Sequence, residues 1–286
     1  MQLWILYSDY YDQNVDNSAY RMLNEAKSLN IDSELYFFNY FKLVDNVLFY
    51  KEEKVTNYPE IVFMRGHLVW LIKHFEQMGV KCVNSSFTME NCRDKWLTHQ
   101  IVSQTSAIQP KTFLLENLSY NECINKVSLP FIIKYRHGAQ GNNIYLINNE
   151  EDFNNLELEF DRIDYMIQEY INTSYGKDLR VYIIGNKALG ACMRVNEESF
   201  TSNLAQGGKS YHYELDSNLE SLCLDISSKL KGDIISVDFL FGKDRLYFCE
   251  ANTNAGFASF NYLGYKTRYE MLTYIKTLIR GDKDEN

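Results

Sequence analysis

The chain opens on a continuous apolar run, Leu3 to Tyr7, of strand length, and the period then changes. Ala19, Met22, Leu23 and Ala26 recur at the three- and four-residue spacing of one helix face. Ile61 to Met64 reads as a buried strand, Val69 to Met78 as a helix and Val80 to Val83 as another strand. Strand and helix in alternation predict a small parallel α/β lobe that ends near Asn84 to Asn91. The pattern shifts beyond it. A helix is expected near Lys95 to Ser103, followed by the strands Phe131 to Tyr135 and Ile144 to Ile147, joined as a hairpin by the glycine-bearing loop His137 to Asn143. From Tyr165 onward come Met166 to Ile171, then the strands Arg180 to Ile184 and Ala188 to Arg194 across a Gly185-Asn186 turn. Leu219, Leu222, Cys223 and Ile226 mark a helix. Two further strands, Ile234 to Phe241 and Leu246 to Asn252, precede a last helix over Thr267 to Ile279.

Those two late strands carry the most specific chemistry. Each holds a carboxylate, Asp238 or Glu250, among apolar neighbours, where an unpaired charge costs several kcal/mol. A three-residue turn at Lys243 to Arg245 places Asp238 opposite Glu250, at the roughly 5 Å of cross-strand neighbours. Asn252, two residues on, shares the Glu250 face. Two carboxylates and an amide oxygen form a hard-oxygen set suited to Mg²⁺ with phosphate oxygens. A solvent-facing polar hairpin side is the plain alternative. The loop after Lys134 runs from strand to strand, so it is no P-loop and reads as a flap over phosphates. Taken singly, Gly138 and Gly141 are equally turn glycines, and Lys134 equally a lysine whose stem packs while its amine reaches water. Ser202-Asn203 with Gly207-Gly208 forms a third polar loop, with Arg194 upstream able to stabilise growing negative charge.

Composition narrows the class. Hydrophobic residues at 45% and charged residues at 23% exclude a disordered chain, and three prolines leave no Pro-rich linker. A net charge of −9 argues against broad nucleic-acid binding, which needs a basic surface. No apolar stretch approaches the roughly 20 residues of a membrane span, so a cytoplasmic protein without a membrane partner is expected. Six scattered cysteines without a C-x-x-C pair read as small buried hydrophobes of a reducing compartment. Of five histidines, none at metal-ligand spacing, only His137 beside the glycine loop attracts attention.

Together, Lys134 with Gly138 to Gly141, Gln168-Glu169-Tyr170-Ile171, Gly176-Lys177-Asp178-Leu179-Arg180, Ser202-Asn203 with Gly207-Gly208, and Asp238…Glu250-Ala251-Asn252 resemble the ordered motifs of the ATP-grasp fold. They are most similar to the RimK-type α-L-glutamate ligases. The likeness runs from about Asn84 to the C-terminus and is weaker before it. It implies an α/β fold of three lobes: an N-terminal parallel α/β lobe at 1–90, a central lid lobe at 91–165, and a C-terminal antiparallel-sheet lobe at 166–286. It further implies an ADP-forming carboxylate–amine ligase acting through an acyl-phosphate, with ATP and two Mg²⁺ (Mn²⁺ as a substitute). The carboxylate would belong to a peptide, protein tail or metabolite, and the amine to an amino acid. Homo-oligomerisation stays open.

By position, the resemblance gives Lys95 and Lys134 the ATP phosphates, Gln168, Glu169, Tyr170 and Ile171 the adenine-side hinge, and Asp178 the ribose. Gly138 and Gly141 would cover the phosphates, while Thr201, Ser202 and Asn203 line the phosphate and substrate region. Asp238, Glu250 and Asn252 would hold the metal, and Arg180 and Arg194, with Asn203, would stand near the acyl-phosphate. Two departures concern the substrate side: Cys192-Met193-Arg194 replaces the paired arginines of many relatives, and Thr253-Asn254-Ala255-Gly256-Phe257 replaces Ser-Pro-Gly. Glutamate as the incoming amine is therefore not carried over. An ATP-grasp-like kinase and a nucleotide-binding module without turnover are the other readings, and retention of Lys134, Asp238, Glu250 and Asn252 argues against the latter.

Overall fold

The computed structural model describes residues 1–11, 17–114, 119–138, 141–202 and 208–284. In the first part of the chain, β1 (Leu3–Tyr7), α1 (Ser18–Ser28), β2 (Ser33–Phe37), β3 (Phe41–Val44), β4 (Val47–Tyr50), β5 (Glu53–Lys54), β6 (Ile61–Met64), α2 (Val69–Gln77) and β7 (Lys81–Val83) follow in order. Strands β2-β1-β6-β7 form a parallel sheet. Alternate side chains of β1 serve its two faces: Leu3, Ile5 and Tyr7 pack with α1, and Trp4 and Leu6 with α2. The helix α1 starts where Asn17 Oδ1 accepts from the amides of Ala19 at 2.8 Å and Tyr20 at 3.3 Å. The antiparallel trio β3-β4-β5 is an addition that periodicity did not suggest, because its strands are short and largely exposed.

The middle of the chain adds α3 (Ser86–Arg93), α4 (Lys95–Val102), β8 (Thr112–Leu114), α5 (Tyr120–Lys126), β9 (Phe131–Tyr135), β10 (Ile144–Ile147), α6 (Glu150–Asn154) and β11 (Tyr165–Glu169). Strands β10-β9-β11-β8 pair antiparallel. Phe131, Ile133, Tyr165 and Ile167 face a core with Cys123 and Val127, so Ile132, Lys134 and Gln168 point to the other side. Strand β11 thus belongs with the central sheet, while Cys92 of α3 and Val102 of α4 pack on the next one.

That last sheet contains β12 (Lys177–Ile184), β13 (Lys187–Val195), β14 (Lys209–Tyr213), β15 (Ile234–Phe241) and β16 (Leu246–Asn252), with α7 (Ser217–Lys229) before β15 and α8 (Ala258–Tyr262) and α9 (Thr267–Asp284) after β16. Its order is β14-β13-β12-β15-β16, antiparallel throughout. Leu179, Val181, Ile183, Val237 and Phe239 bury one face against Cys223 and Ile226 of α7. On the other face Tyr182, Ile184 and Ile234 join the core of the parallel sheet. By the same alternation Asp178, Arg180 and Asp238 lie on that inner face, further along the strands.

Asp238 does pair with Glu250, but by another route than a three-residue turn. Phe241 pairs with Leu246 across a four-residue connection, Gly242 to Arg245, and a bulge between Asp238 and Phe239 then shifts the register by one. Cys249 is the extra residue.

Asp94 joins lid and scaffold. Its carboxylate caps α4 by accepting from Trp96 N at 2.9 Å and Leu97 N at 3.3 Å, and it pairs with Arg136 at 2.5 Å. Replacing Asp94 with Ala should cost about 1–2 kcal/mol from the cap alone, read as a lower urea midpoint. Asn, which keeps the cap and drops the charge, should recover part of that loss.

Candidate active site

A cleft of about 560 Å³ is lined by residues of the central and last sheets and of the connections around them, with His67 arriving from the connection after β6. Lys95, Lys134, Gly138, Gly141, Gln168, Glu169, Tyr170, Ile171, Asp178, Arg180, Arg194, Thr201, Ser202, Glu250 and Asn252 all reach it. Asn203 lies outside the described residues, as do Ala139 and Gln140 of the glycine loop. Asp238 does not line the cleft: it sits beneath the floor, 1% exposed.

The two lysines arrive from different elements. Lys95 is the first residue of α4 and donates through Nζ to the Gly138 carbonyl, 3.9 Å from Glu250 Oε2. Lys134, on β9, donates to Gln168 Oε1 at 2.9 Å. Both are buried, and burial, with the Lys95 charge adding to it, pulls the Lys134 pKa down. Such a pair is arranged for a polyanion. Gly141 adopts φ +76, a backbone that favours glycine, so the loop glycine has a conformational reason.

Along the floor runs a charge quartet: Asp178, Arg180 and Arg194 line the cleft, and Asp238 lies beneath them. Arg180 donates to both Asp238 oxygens, at 2.7 and 2.6 Å. Arg194 Nη2 reaches Asp238 Oδ2 at 3.0 Å, while the same guanidinium grips Asp178 through Nε at 2.7 Å and Nη2. Against the desolvation of complete burial, Arg180 and then Arg194 hold Asp238 below the usual carboxylate range. Burial pushes Asp178 the other way, with Asp238 adding to it. The carboxylate expected at a ribose is therefore engaged with an arginine.

For a divalent cation the donors fit in kind, since carboxylate and amide oxygens are hard ligands. Glu250 and Asn252 reach the cleft, tied together by an Nδ2–Oε1 bond of 3.0 Å. The third member, Asp238, faces the arginines. Among the described residues no group of three His, Cys, Asp or Glu side chains stands ready for a metal.

His99 is the residue that sequence reading missed, and His137, edge-on to Tyr135 with ring centres 5.6 Å apart, is not among the cleft-lining residues. His99 is buried behind Lys134, its Nε2 at 3.3 Å from Gln168 Nε2. Gln168 also donates to Thr112 Oγ1 at 2.7 Å, so its amide is oriented with oxygen toward Lys134. A neutral His99 accepts from Gln168 and keeps that orientation. Burial, then the Lys134 charge, lowers its pKa to about 3. The signal was available: His99 stands four residues after Lys95, on the same helix face. His67, Arg93 and Cys249 are further cleft residues that the motifs did not name. Burial holds the Cys249 thiol up at about 12, so it is no nucleophile.

Residues 92–275 match the RimK-like ATP-grasp domain. The chain belongs to that family. This RimK-like ATP-grasp protein is 30% identical over 274 residues to the Mycoplasma genitalium protein MG012, covering 91% of this chain and 93% of that one. It is 26% identical over 224 residues to human beta-citrylglutamate synthase B. That match covers 73% of this chain but only 58% of the human protein, so the chain spans little more than half of that relative. In fold, a RimK domain ATP-grasp protein from Sphaerobacter thermophilus superposes with a TM-score of 0.73, at 14% identity, over 96% of this chain and 99% of that one. The expected α/β architecture, a parallel sheet combined with antiparallel ones, is thereby that of the ATP-grasp fold. No helix among the described residues of the RimK-like protein is long and apolar enough to cross a membrane.

The His99 environment predicts a pH dependence. The folded pKa lies near 3 and the ordinary value is 6.5, so the unfolded chain binds the proton first. This contribution is intact above about pH 6.5 and is lost as pH falls toward 3. By pH 5 about 2 kcal/mol of it is lost. Unfolding free energies from urea titrations at pH 7 and pH 5 should differ less in His99→Gln than in the parent, by about 2 kcal/mol.

Proposed function

We propose that the protein is an ATP-dependent ligase that joins a carboxylate to an amine through an acyl-phosphate, releasing ADP and phosphate. The convergence of Lys95, Lys134 and Glu250 at one cleft floor, above the Asp178–Arg194–Asp238–Arg180 quartet, carries this reading. The relatives support it, human beta-citrylglutamate synthase B among them. In this reading Lys95 and Lys134 hold the β- and γ-phosphates, Gln168 orients Lys134, and Glu169 to Ile171 form the hinge edge at the adenine. The strand β11 carries that hinge out of the central sheet, between lobes at 91–165 and 166–286, with a third lobe at 1–90. Thr201 and Ser202 face the phosphate and substrate region, which the resemblance also assigns to Asn203, and Gly138 and Gly141 cover it. Asp178 orients Arg194.

Glu250 and Asn252, with Asp238 below them, are the residues that would hold two Mg²⁺ ions, or Mn²⁺. Bound there, the cation neutralises phosphate charge during transfer. The chain's own part is positional. A carboxylate oxygen attacks the γ-phosphorus and ADP leaves, with the lysines stabilising the charge on the transferred group. The amine nitrogen then attacks the acyl carbon, phosphate leaves with the bonding pair, and the amine gives up a proton. Arg180 and Arg194 supply positive charge where oxygens become more negative. The lid hairpin excludes water, which would hydrolyse the mixed anhydride. The carboxylate belongs to a peptide, protein tail or small metabolite and the amine to an amino acid.

The decisive assay incubates the full chain with Mg²⁺ and ATP against a panel of carboxylates (citrate, N-acetylaspartate, a peptide ending in glutamate) and the amino acids. ADP and phosphate should appear with a productive pair, and hydroxylamine should trap the activated carboxylate as a hydroxamate. AMP as product would refute the mechanism. ADP with a stable phosphorylated product and no amide would instead identify a kinase. In the same assay Glu250→Gln, which removes charge at nearly constant shape, should lower turnover by at least about 100-fold with an unchanged melting temperature.

A further inference from the structure

The parallel sheet contributes His67 alone to the cleft lining, yet two of its strand ends reach the wall that follows Asn252. Arg65 directly follows β6, its amide donating to the Leu6 carbonyl at 2.8 Å, and its side chain is 8% exposed. Its guanidinium donates from Nη2 to the Ala255 carbonyl at 3.0 Å, and the Tyr182 and Tyr7 hydroxyls stand beside it, with Nε and Nη1 fully buried. A charge kept in such a place is costly. The same carbonyl accepts from the buried Tyr182 hydroxyl at 3.1 Å. The guanidinium also lies 5.2 Å from the centre of the Phe257 ring. A second grip comes from Asn84, just past β7. Its amide binds the Ile234 carbonyl at 2.6 Å and reaches the Thr253 carbonyl at 3.4 Å.

Residues 253–257 are in neither strand nor helix, so no ladder fixes them. Thr253, Asn254, Ala255 and Gly256 nevertheless line the cleft. We propose that Arg65 is a positioning residue for this wall: through Ala255 and Phe257 it sets the shape of the substrate side of the cleft while leaving the nucleotide side unchanged. Calling the wall substrate-facing rests on the ligase reading above; the grip itself does not. The parallel sheet then acts on specificity without touching the reacting atoms.

Hydrogen exchange on the full chain tests it, comparing Arg65→Met, Arg65→Lys and Tyr182→Phe with the parent. Opening of the segment should become easier in Arg65→Met, giving about tenfold faster exchange in peptides covering 253–257. Peptides covering 131–147 should not change. Lys, which can still donate to Ala255, should restore much of the protection. Affinity for the non-hydrolysable analogue AMPPNP with Mg²⁺ should stay within about twofold, and KM for a productive carboxylate from the panel should rise about tenfold with little change in kcat. Unchanged exchange at 253–257, or an equal rise across the whole parallel sheet, overturns the proposal. So does an equal loss of AMPPNP affinity. If Arg65→Met does not fold cooperatively, Tyr182→Phe, which removes the other donor to Ala255, must loosen 253–257 measurably more than Arg65→Lys does, and equal exchange in the two overturns the proposal. If no carboxylate is turned over, the ligase reading fails, and the exchange and AMPPNP measurements still decide the role of Arg65.

Discussion

Four charges that cancel one another at the cleft floor make the rest of the site possible. Asp178, Arg194, Asp238 and Arg180 are placed on one face by two-residue periodicity in three adjacent strands. Each alone would be ruinous in an interior packed against the parallel sheet. Joined through Arg194, which bridges the two carboxylates, they are mutually neutralised and geometrically fixed. With those charges engaged, the buried ammonium groups of Lys95 and Lys134 stand opposite only Glu250 at the floor, so a polyanionic ligand has a field to complete.

A second layer of order is built from neutral groups. Thr112, His99, Gln168 and Lys134 form a hydrogen-bonded line across the back of the central sheet. Every member has one role only while His99 is uncharged. Protonated, it would offer a donor where Gln168 already presents one, and the amide that holds the lysine would lose its reason to point that way. Burial keeps the imidazole neutral, so the orientation of a cation is maintained by a group that carries none.

How much of this was legible in the chain differs by element. The strands Ile234–Phe241 and Leu246–Asn252 were readable to the residue because apolar runs bracket a Gly-Lys-Asp-Arg turn. The Asp238–Glu250 pairing was also readable, although the turn was counted one residue short and the bulge made up the difference. What could not be read is which partner Asp238 takes. Its arginines come from β12 and β13, some 44 to 58 residues away, and sequence spacing carries no information about neighbours across a sheet. The strands at 41–54 and 112–114 were missed for a local reason, since short, half-exposed segments leave too few positions for a period to show.

The bulge at Cys249 has an implication for how this hairpin tolerates change. Near the turn the two strands are in one register, and at Asp238 and Glu250 they are in another, offset by a single residue. In an uninterrupted ladder the turn length would dictate which side chains meet at the far end, and one inserted residue would swing Glu250 into the apolar face. Here the phase of the ligand end is set again beyond the turn, where Phe248 packs inward while Cys249 and Glu250, consecutive in sequence, both open onto the cleft. The tip of the hairpin is thereby free to lengthen, shorten or diversify as a surface loop does, while the end that lines the cleft keeps time independently.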